Sequence, residues 1–144
     1  MRFSGENEMA ITLAWDNKFE VGHERIDSEH RIFLSLIRDL SVEAESKAGK
    51  PRVERTLNEI YKYADFHFTS EENIMADIAY PRLDEHKNTH QRLLAQFKNK
   101  RHEYQAEVLE ADAIVSFLFQ WFALHTTQDD RRIAEYIASP ATET

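Results

Sequence analysis

The chain has 144 residues, 42% hydrophobic and 31% charged, with three glycines and three prolines; that is one globular domain's worth of chain, with too few turn residues for a sandwich or barrel. A formal charge of -8 and a pI of about 5.3 argue against a surface that neutralises nucleic acid or anionic lipid. The absence of cysteine removes disulfides, thiolate metal sites and CxxCH haem attachment, so any metal must be held by nitrogen and oxygen.

Residues 1–26 lack a helical period and read as an N-terminal arm anchored by Trp15 and Phe19. From Asp27 or Ser28, either a good N-cap, Phe33, Leu36, Ile37 and Leu40 recur at helical spacing until "KAGKP". A second helix from about Arg52 carries Val53, Leu57, Ile60, Ala64, Phe68, Ile74 and Met75. It ends before Tyr80-Pro81, because a residue preceding proline disfavours the αR region. A third starts at Asp84 with Leu93, Leu94, Phe97 and Tyr104 inward, and a fourth opens near Ala111 or Asp112 with Ile114, Phe117, Leu118, Trp121 and Phe122. Residues 139–144 read as a loose tail. The apolar run Ala113 to Leu124 is too short for a bilayer, and no secretory signal is visible, so a cytoplasmic, membrane-free protein is expected.

Short connections force neighbouring helices antiparallel. The predicted fold is therefore all-α, an up-down-up-down four-helix bundle over 27–138 with the arm packed against it.

Seven histidines punctuate this pattern. A single inward histidine is usually a satisfied core residue. Here five share apolar faces: His30 with Phe33 and Ile37, His67 with Ala64 and Glu71, His86 and His90 with Leu93, and His125 with Leu118 and Trp121. Residues on antiparallel neighbours are level when equidistant from the turn between them. His30 and His67 are symmetric about Ala48-Gly49, Glu71 and His90 about Tyr80-Pro81, and His86 and His125 about Gln105-Ala106, within about one turn of the third connection. All four helices thus send imidazole to one layer. Burying such a set without partners costs several kcal/mol, whereas metal satisfies it collectively. Five nitrogens and a few carboxylates exceed the needs of one ion, and a sulfur-free donor set suits two irons or manganese ions, with zinc or copper as alternatives. In "HTTQDDRR" regular helical spacing favours Asp129 as the further oxygen ligand. Asp130 requires the helix to unwind, and spacing alone leaves the choice open.

The segments "VGHERIDSEH", "HFTSEENIM", "YP" with "HKNTH", and "WFALHTTQDD" resemble the hemerythrin family, particularly its bacterial members, over Trp15 to about Asp130. The resemblance implies a cofactor of two irons with an oxo or hydroxo bridge. His86, His90 and His125 would hold one, His30 and His67 the other, and Glu71 and Asp130 would bridge them. It thereby moves the choice to Asp130 and predicts a distorted turn after His125. The implied activity is reversible dioxygen binding, as a hydroperoxide at the His30/His67 iron, for storage, delivery or sensing. Phe33, Trp121, Phe122 and Thr126 are the residues expected around the O2 pocket.

The chain departs from the family pattern at Glu29, where Gln is common, at Phe122 and Thr126 around His125, and at His23, which with His102 reads as a surface residue. These bear on oxygen access and proton supply rather than on ligation. A ferritin-like oxidase would need two ExxH pairs on long helices, and the only one here is Glu20 to His23 in the arm; an adjacent His-Asp pair for a metal phosphohydrolase is absent. A stand-alone oxygen binder, not an enzyme, is the expectation. The alternatives are an O2 or redox sensor with a protein partner and a di-iron peroxide or nitric oxide reductase.

Overall fold

Three helix ends close in the same way, through a residue with positive φ that is not glycine. Lys47 (φ 56°), Ala79 (φ 52°) and Glu107 (φ 63°) each turn the chain out of a helix, and the next amide reaches back five residues: Ala48 N to Glu43 O at 2.9 Å, Tyr80 N to Met75 O at 2.9 Å and Val108 N to Glu103 O at 2.8 Å. This is the Schellman arrangement, which satisfies carbonyls that the last turn would leave orphaned.

The computed structural model describes residues 13–139, and the helices so terminated are α1 (Glu24–Glu45), α2 (Lys50–Asp77) and α3 (Leu83–Gln105). A fourth, α4 (Ala111–His125), passes through a π-helical segment, Thr126–Asp130, into α5 (Arg131–Ala138) on the same rod. Each long helix packs on its sequence neighbours and α1 closes the ring against α4, which makes an antiparallel four-helix bundle. Among the described residues there is no strand. The periodic apolar positions read from sequence, including Phe33, Ile37, Leu57, Ile60, Leu93, Phe97, Ile114 and Leu118, form the buried core.

Helix starts differ from expectation. α1 begins at Glu24, not at Asp27 or Ser28, because His23 is its N-cap and accepts the Ile26 amide on Nδ1 at 3.3 Å. Asp27 faces the other way: its carboxylate accepts the amides of Val21 at 2.8 Å and Gly22 at 3.1 Å, pinning the incoming strand of arm. Gly22, at φ +96°, supplies the turn that a side chain would resist. His23 is thus a capping residue, only half-exposed, rather than a free surface group. α2 starts at Lys50 behind Gly49, with Pro51 in its first turn, where the missing amide costs nothing.

The described residues ahead of α1 pack on the bundle. Phe19 is buried against Phe119 and Phe122, Trp15 packs on Phe19, and the Arg38 guanidinium donates to the Leu13 carbonyl at 3.1 Å. Arg131 of α5 donates to the carbonyls of Lys18 and Glu20, so the arm also ties down the helix that follows the π segment. The reading of 1–26 as arm and 139–144 as tail falls partly outside the described residues.

Candidate metal centre

An α-helix returns to the same face after four residues, so Asp129 would ordinarily sit below His125. Between them and α5 the chain takes a π turn over Thr126–Asp130, and the extra residue per turn rotates Asp130 inward and Asp129 to the rim. Asp130 is 1% exposed. Asp129, one-third exposed at its side chain, accepts from His125 Nδ1 at 2.8 Å. The distorted turn expected after His125 is therefore present.

Residues equidistant from a turn meet across it. The His30 and His67 rings lie 4.8 Å apart, as do His86 and His125, and Glu71 Oε1 is 3.0 Å from His90 Nε2. Seven side chains, His30, His67, Glu71, His86, His90, His125 and Asp130, meet in one layer, all 6% exposed or less.

Within that layer the two carboxylates divide their oxygens. Glu71 Oε1 faces His86 at 3.1 Å and His90 at 3.0 Å, while its Oε2 faces His30 at 3.8 Å and His67 at 3.7 Å. Asp130 Oδ1 lies 3.1 Å from both His86 and His125, and Oδ2 lies 2.9 Å from His30. The result is two donor sets, Glu71, His86, His90, His125 and Asp130 on one side and His30, His67, Glu71 and Asp130 on the other. One has three nitrogens, the other two, and both carboxylates are common to both.

The spacing fits metal better than hydrogen bonds. Asp130 keeps both oxygens buried near three imidazoles, yet no ring N–H is aligned on either; Glu71 Oε2 and His30 Nδ1 are likewise buried without a hydrogen-bond partner. Unmet polar groups of this kind are costly and rare. Adjacent donors about 3 Å apart are what an octahedral ion with bonds of about 2.1 Å requires.

The outward nitrogens of three rings are held from behind. His67 Nδ1 donates to Glu29 Oε1 at 2.7 Å, His90 Nδ1 to Glu72 Oε2 at 2.9 Å, and His125 Nδ1 to Asp129 Oδ2 at 2.8 Å. A carboxylate only accepts, so in the neutral ring the proton sits on Nδ1 and the Nε2 lone pair faces the centre. Glu29 is itself fixed by Ser70 at 3.0 Å and Arg25 at 3.1 Å. The sequence offers Asp129 only as a candidate ligand and Glu29 only as a departure from the family pattern. Its service to His67, on another helix, had no local signal.

Without metal the layer is a knot of opposed charges. Burial and the charge of Asp130 raise the Glu71 carboxyl, but the nearby His86, His90 and His67 outweigh them and bring it to about 2. Burial raises Asp130 too, and the surrounding imidazoles hold it well below the usual range. Burial lowers the His86 imidazole, whereas Asp130 and Glu71 lift it to about 9; for His125 burial again lowers, and Asp130 and Asp129 lift it to about 10.

Aromatic rings seal most of the rest. Phe122 meets His30 edge-on at 5.6 Å and packs on Phe33. Trp121 instead stacks on His125 at 4.2 Å, and Phe68 on His90 at 3.9 Å, so Trp121 belongs to the three-histidine side, apart from Phe33 and Phe122. Thr126 is buried next to His125. His102 is exposed and remote from the layer.

A family model described as the hemerythrin HHE cation binding domain matches residues 21–137. The chain is 26% identical over 125 residues to a bacteriohemerythrin of Stenotrophomonas maltophilia, covering 87% of this chain and 81% of that one. It is 27% identical over 131 residues to a bacteriohemerythrin of Clostridium acetobutylicum, covering 87% and 98%. Against a myohemerythrin of Theromyzon tessulatum it is 36% identical over 83 residues, covering 58% and 63%.

Proposed function

The chain belongs to the hemerythrin family, whose cofactor is a di-iron centre, and from that membership we propose that it binds dioxygen reversibly, for storage, delivery or sensing. In this reading His86, His90 and His125 hold one iron, His30 and His67 the other, and Glu71 and Asp130 bridge the pair. The observation that carries it is the division of both carboxylates between a three-nitrogen and a two-nitrogen set. With equal oxygen sharing, the His30/His67 side is one ligand short, which is where a diatomic ligand would bind.

The di-iron pair, when bound, supplies the open coordination position and the electrons that O2 needs. The chain supplies orientation and dryness. Glu29 keeps the proton of His67 on Nδ1 and its lone pair inward, while Tyr63 stacks parallel to that ring and donates its hydroxyl to the Glu29 carbonyl at 2.9 Å. Phe19, Phe33 and Phe122, each 1% exposed, exclude water from the His30 side. Excluding water withholds the protons that would otherwise carry bound oxygen on to irreversible products. The family match and the likeness to bacteriohemerythrins and a myohemerythrin favour a binder over an enzyme.

The test is anaerobic reduction of iron-loaded protein, exposure to air, and the visible spectrum followed through evacuation. A charge-transfer band that appears with O2 and disappears under vacuum is expected. A band that never forms, or forms once and bleaches with continuous oxygen consumption, would replace the binder with an inert centre or an oxidase respectively.

A further inference from the structure

Four of the five inward imidazoles are covered by an aromatic ring: His30 by Phe122, His67 by Tyr63 and Phe68, His90 by Phe68, and His125 by Trp121. His86 is the exception. Among the described residues its ring contacts are with His90 and His125 alone, and on its other side it lines a small, mostly polar cavity of about 50 Å³ together with Tyr80, Arg82, Glu85, Thr89, Asp129 and Arg132. That volume has room for a few water molecules. The cavity is half-open to solvent at the junction of α2 and α3, under the end of the π segment.

We propose that this cavity is the port through which hydrated ferrous ion reaches the buried layer, with the His86 imidazole as its inner door. The inference rests on the ligand reading given above. A hydrated dication cannot shed its water against Phe122, Phe33 or Trp121, because apolar walls offer no replacement oxygen or nitrogen. The polar cavity offers both. Two carboxylates stand at its rim, Glu85 and Asp129, each engaged by an arginine: Arg82 Nε to Glu85 Oε1 at 2.8 Å and Arg132 Nη1 to Asp129 Oδ1 at 3.3 Å. Arg82 holds Glu85 through a second bond, Nη2 to Oε2 at 3.2 Å, whereas Arg132 holds Asp129 by a single exposed contact of the weak kind, so an arriving cation displaces Arg132 from Asp129 first. From there the path inward is one ring deep, because His86 Nε2 already lies 3.1 Å from both Glu71 Oε1 and Asp130 Oδ1. Rotation of a single imidazole carries the ion from rim to bridge.

Thr89 is a wall that is itself neither a ligand nor a carboxylate behind one. It is partly buried on α3, and its hydroxyl donates to the Glu85 carbonyl at 3.3 Å. Leucine there fills the cavity with hydrocarbon and is the better helix former. The experiment mixes metal-free protein with ferrous ion anaerobically and follows uptake by stopped flow, then follows iron loss from loaded protein to a hydrophilic chelator. Thr89→Leu is expected to slow both by about tenfold or more, corresponding to roughly 1.4 kcal/mol of barrier, while still reaching two irons per chain. Thr69→Leu, on the exposed outer face of α2, is expected to load at the parent rate. If Thr89→Leu alters the helical circular dichroism, Thr89→Met repeats the test with a flexible plug. A plugged variant that loads and unloads at the parent rate overturns the port and leaves the di-iron reading intact. Parent protein that binds no iron overturns that reading itself.

Discussion

Glu29 precedes His30 in the chain yet its carboxylate lies 2.7 Å from His67 Nδ1, across the α1/α2 interface. The contact links the two helices at the level of the two-nitrogen donor set. Its proton position fixes which nitrogen of His67 faces inward. Glu29→Ala would leave that N–H buried with no acceptor, and Glu29→Gln would keep an acceptor while removing the charge. We expect Glu29→Ala to weaken iron binding by about 10–100-fold and Glu29→Gln to weaken it less, measured by competition with a chelator of known affinity. Equal affinities for parent and Glu29→Ala would show that His67 needs no such support.

The adjacent aspartates of the π segment should separate cleanly. Asp130 presents an oxygen to each donor set, while of the five imidazoles Asp129 touches only that of His125, from behind. Asp130→Ala is expected to abolish binding of two irons. Asp129→Ala should retain the stoichiometry with affinity reduced about 10–100-fold. Metal analysis after gel filtration distinguishes them, and the reverse order would restore the regular-helix choice of Asp129. By the same logic His90→Ala should lose stoichiometric iron and His102→Ala should not.

Metal and protons compete for the layer. His86 and His125 are raised from an ordinary 6.5 to about 9 and about 10. Their contribution to the metal-free fold is therefore fully present below pH 6.5 and is lost as pH rises through 9 and 10. Glu71 is lowered from 4.5 to about 2; its contribution is present above 4.5 and lost as pH falls toward 2. The metal-free protein should thus be most stable between about pH 4.5 and 6.5 and weaken on both sides. Loading iron at neutral pH should release protons and remove the alkaline decline. Thermal midpoints across pH for both forms test this, and calorimetry in buffers of different ionisation enthalpy counts the protons. A metal-free protein equally stable at pH 6 and pH 9.5 would contradict it.

How far the sequence reaches depends on which interactions are local. Bundle and layer were legible because helical period fixes faces and a constant rise fixes heights, so His30 met His67 and Glu71 met His90 as the midpoints required. The π turn was not derivable from period alone, because one inserted residue leaves the apolar pattern almost unchanged while rotating everything after it; family resemblance moved the choice to Asp130, and the π segment turns that residue inward. Glu29 escaped because its partner lies on another helix. Asp27, expected as the cap, holds the arm instead, and His23, expected at the surface, is the cap, for a related reason. Asp is a favoured helix start and His is not, and only the path of the arm decides which amides each one meets.

The positive-φ helix ends give the last prediction. Ala79 closes α2 at φ 52° with no side-chain benefit from that conformation, and an L-residue other than glycine in the left-handed region costs about 1–2 kcal/mol. Glycine avoids that cost but has more unfolded freedom to lose, about 0.5–1 kcal/mol. The balance favours Ala79→Gly by roughly 0.5–1 kcal/mol. The Tyr80 amide bond to Met75 that sets the α2/α3 register stays in place. Denaturant midpoints of the metal-free protein should therefore rise in Ala79→Gly with an unchanged slope and unaltered iron stoichiometry. A lower midpoint would mean that the Ala79 methyl packs to more effect than its backbone strain costs.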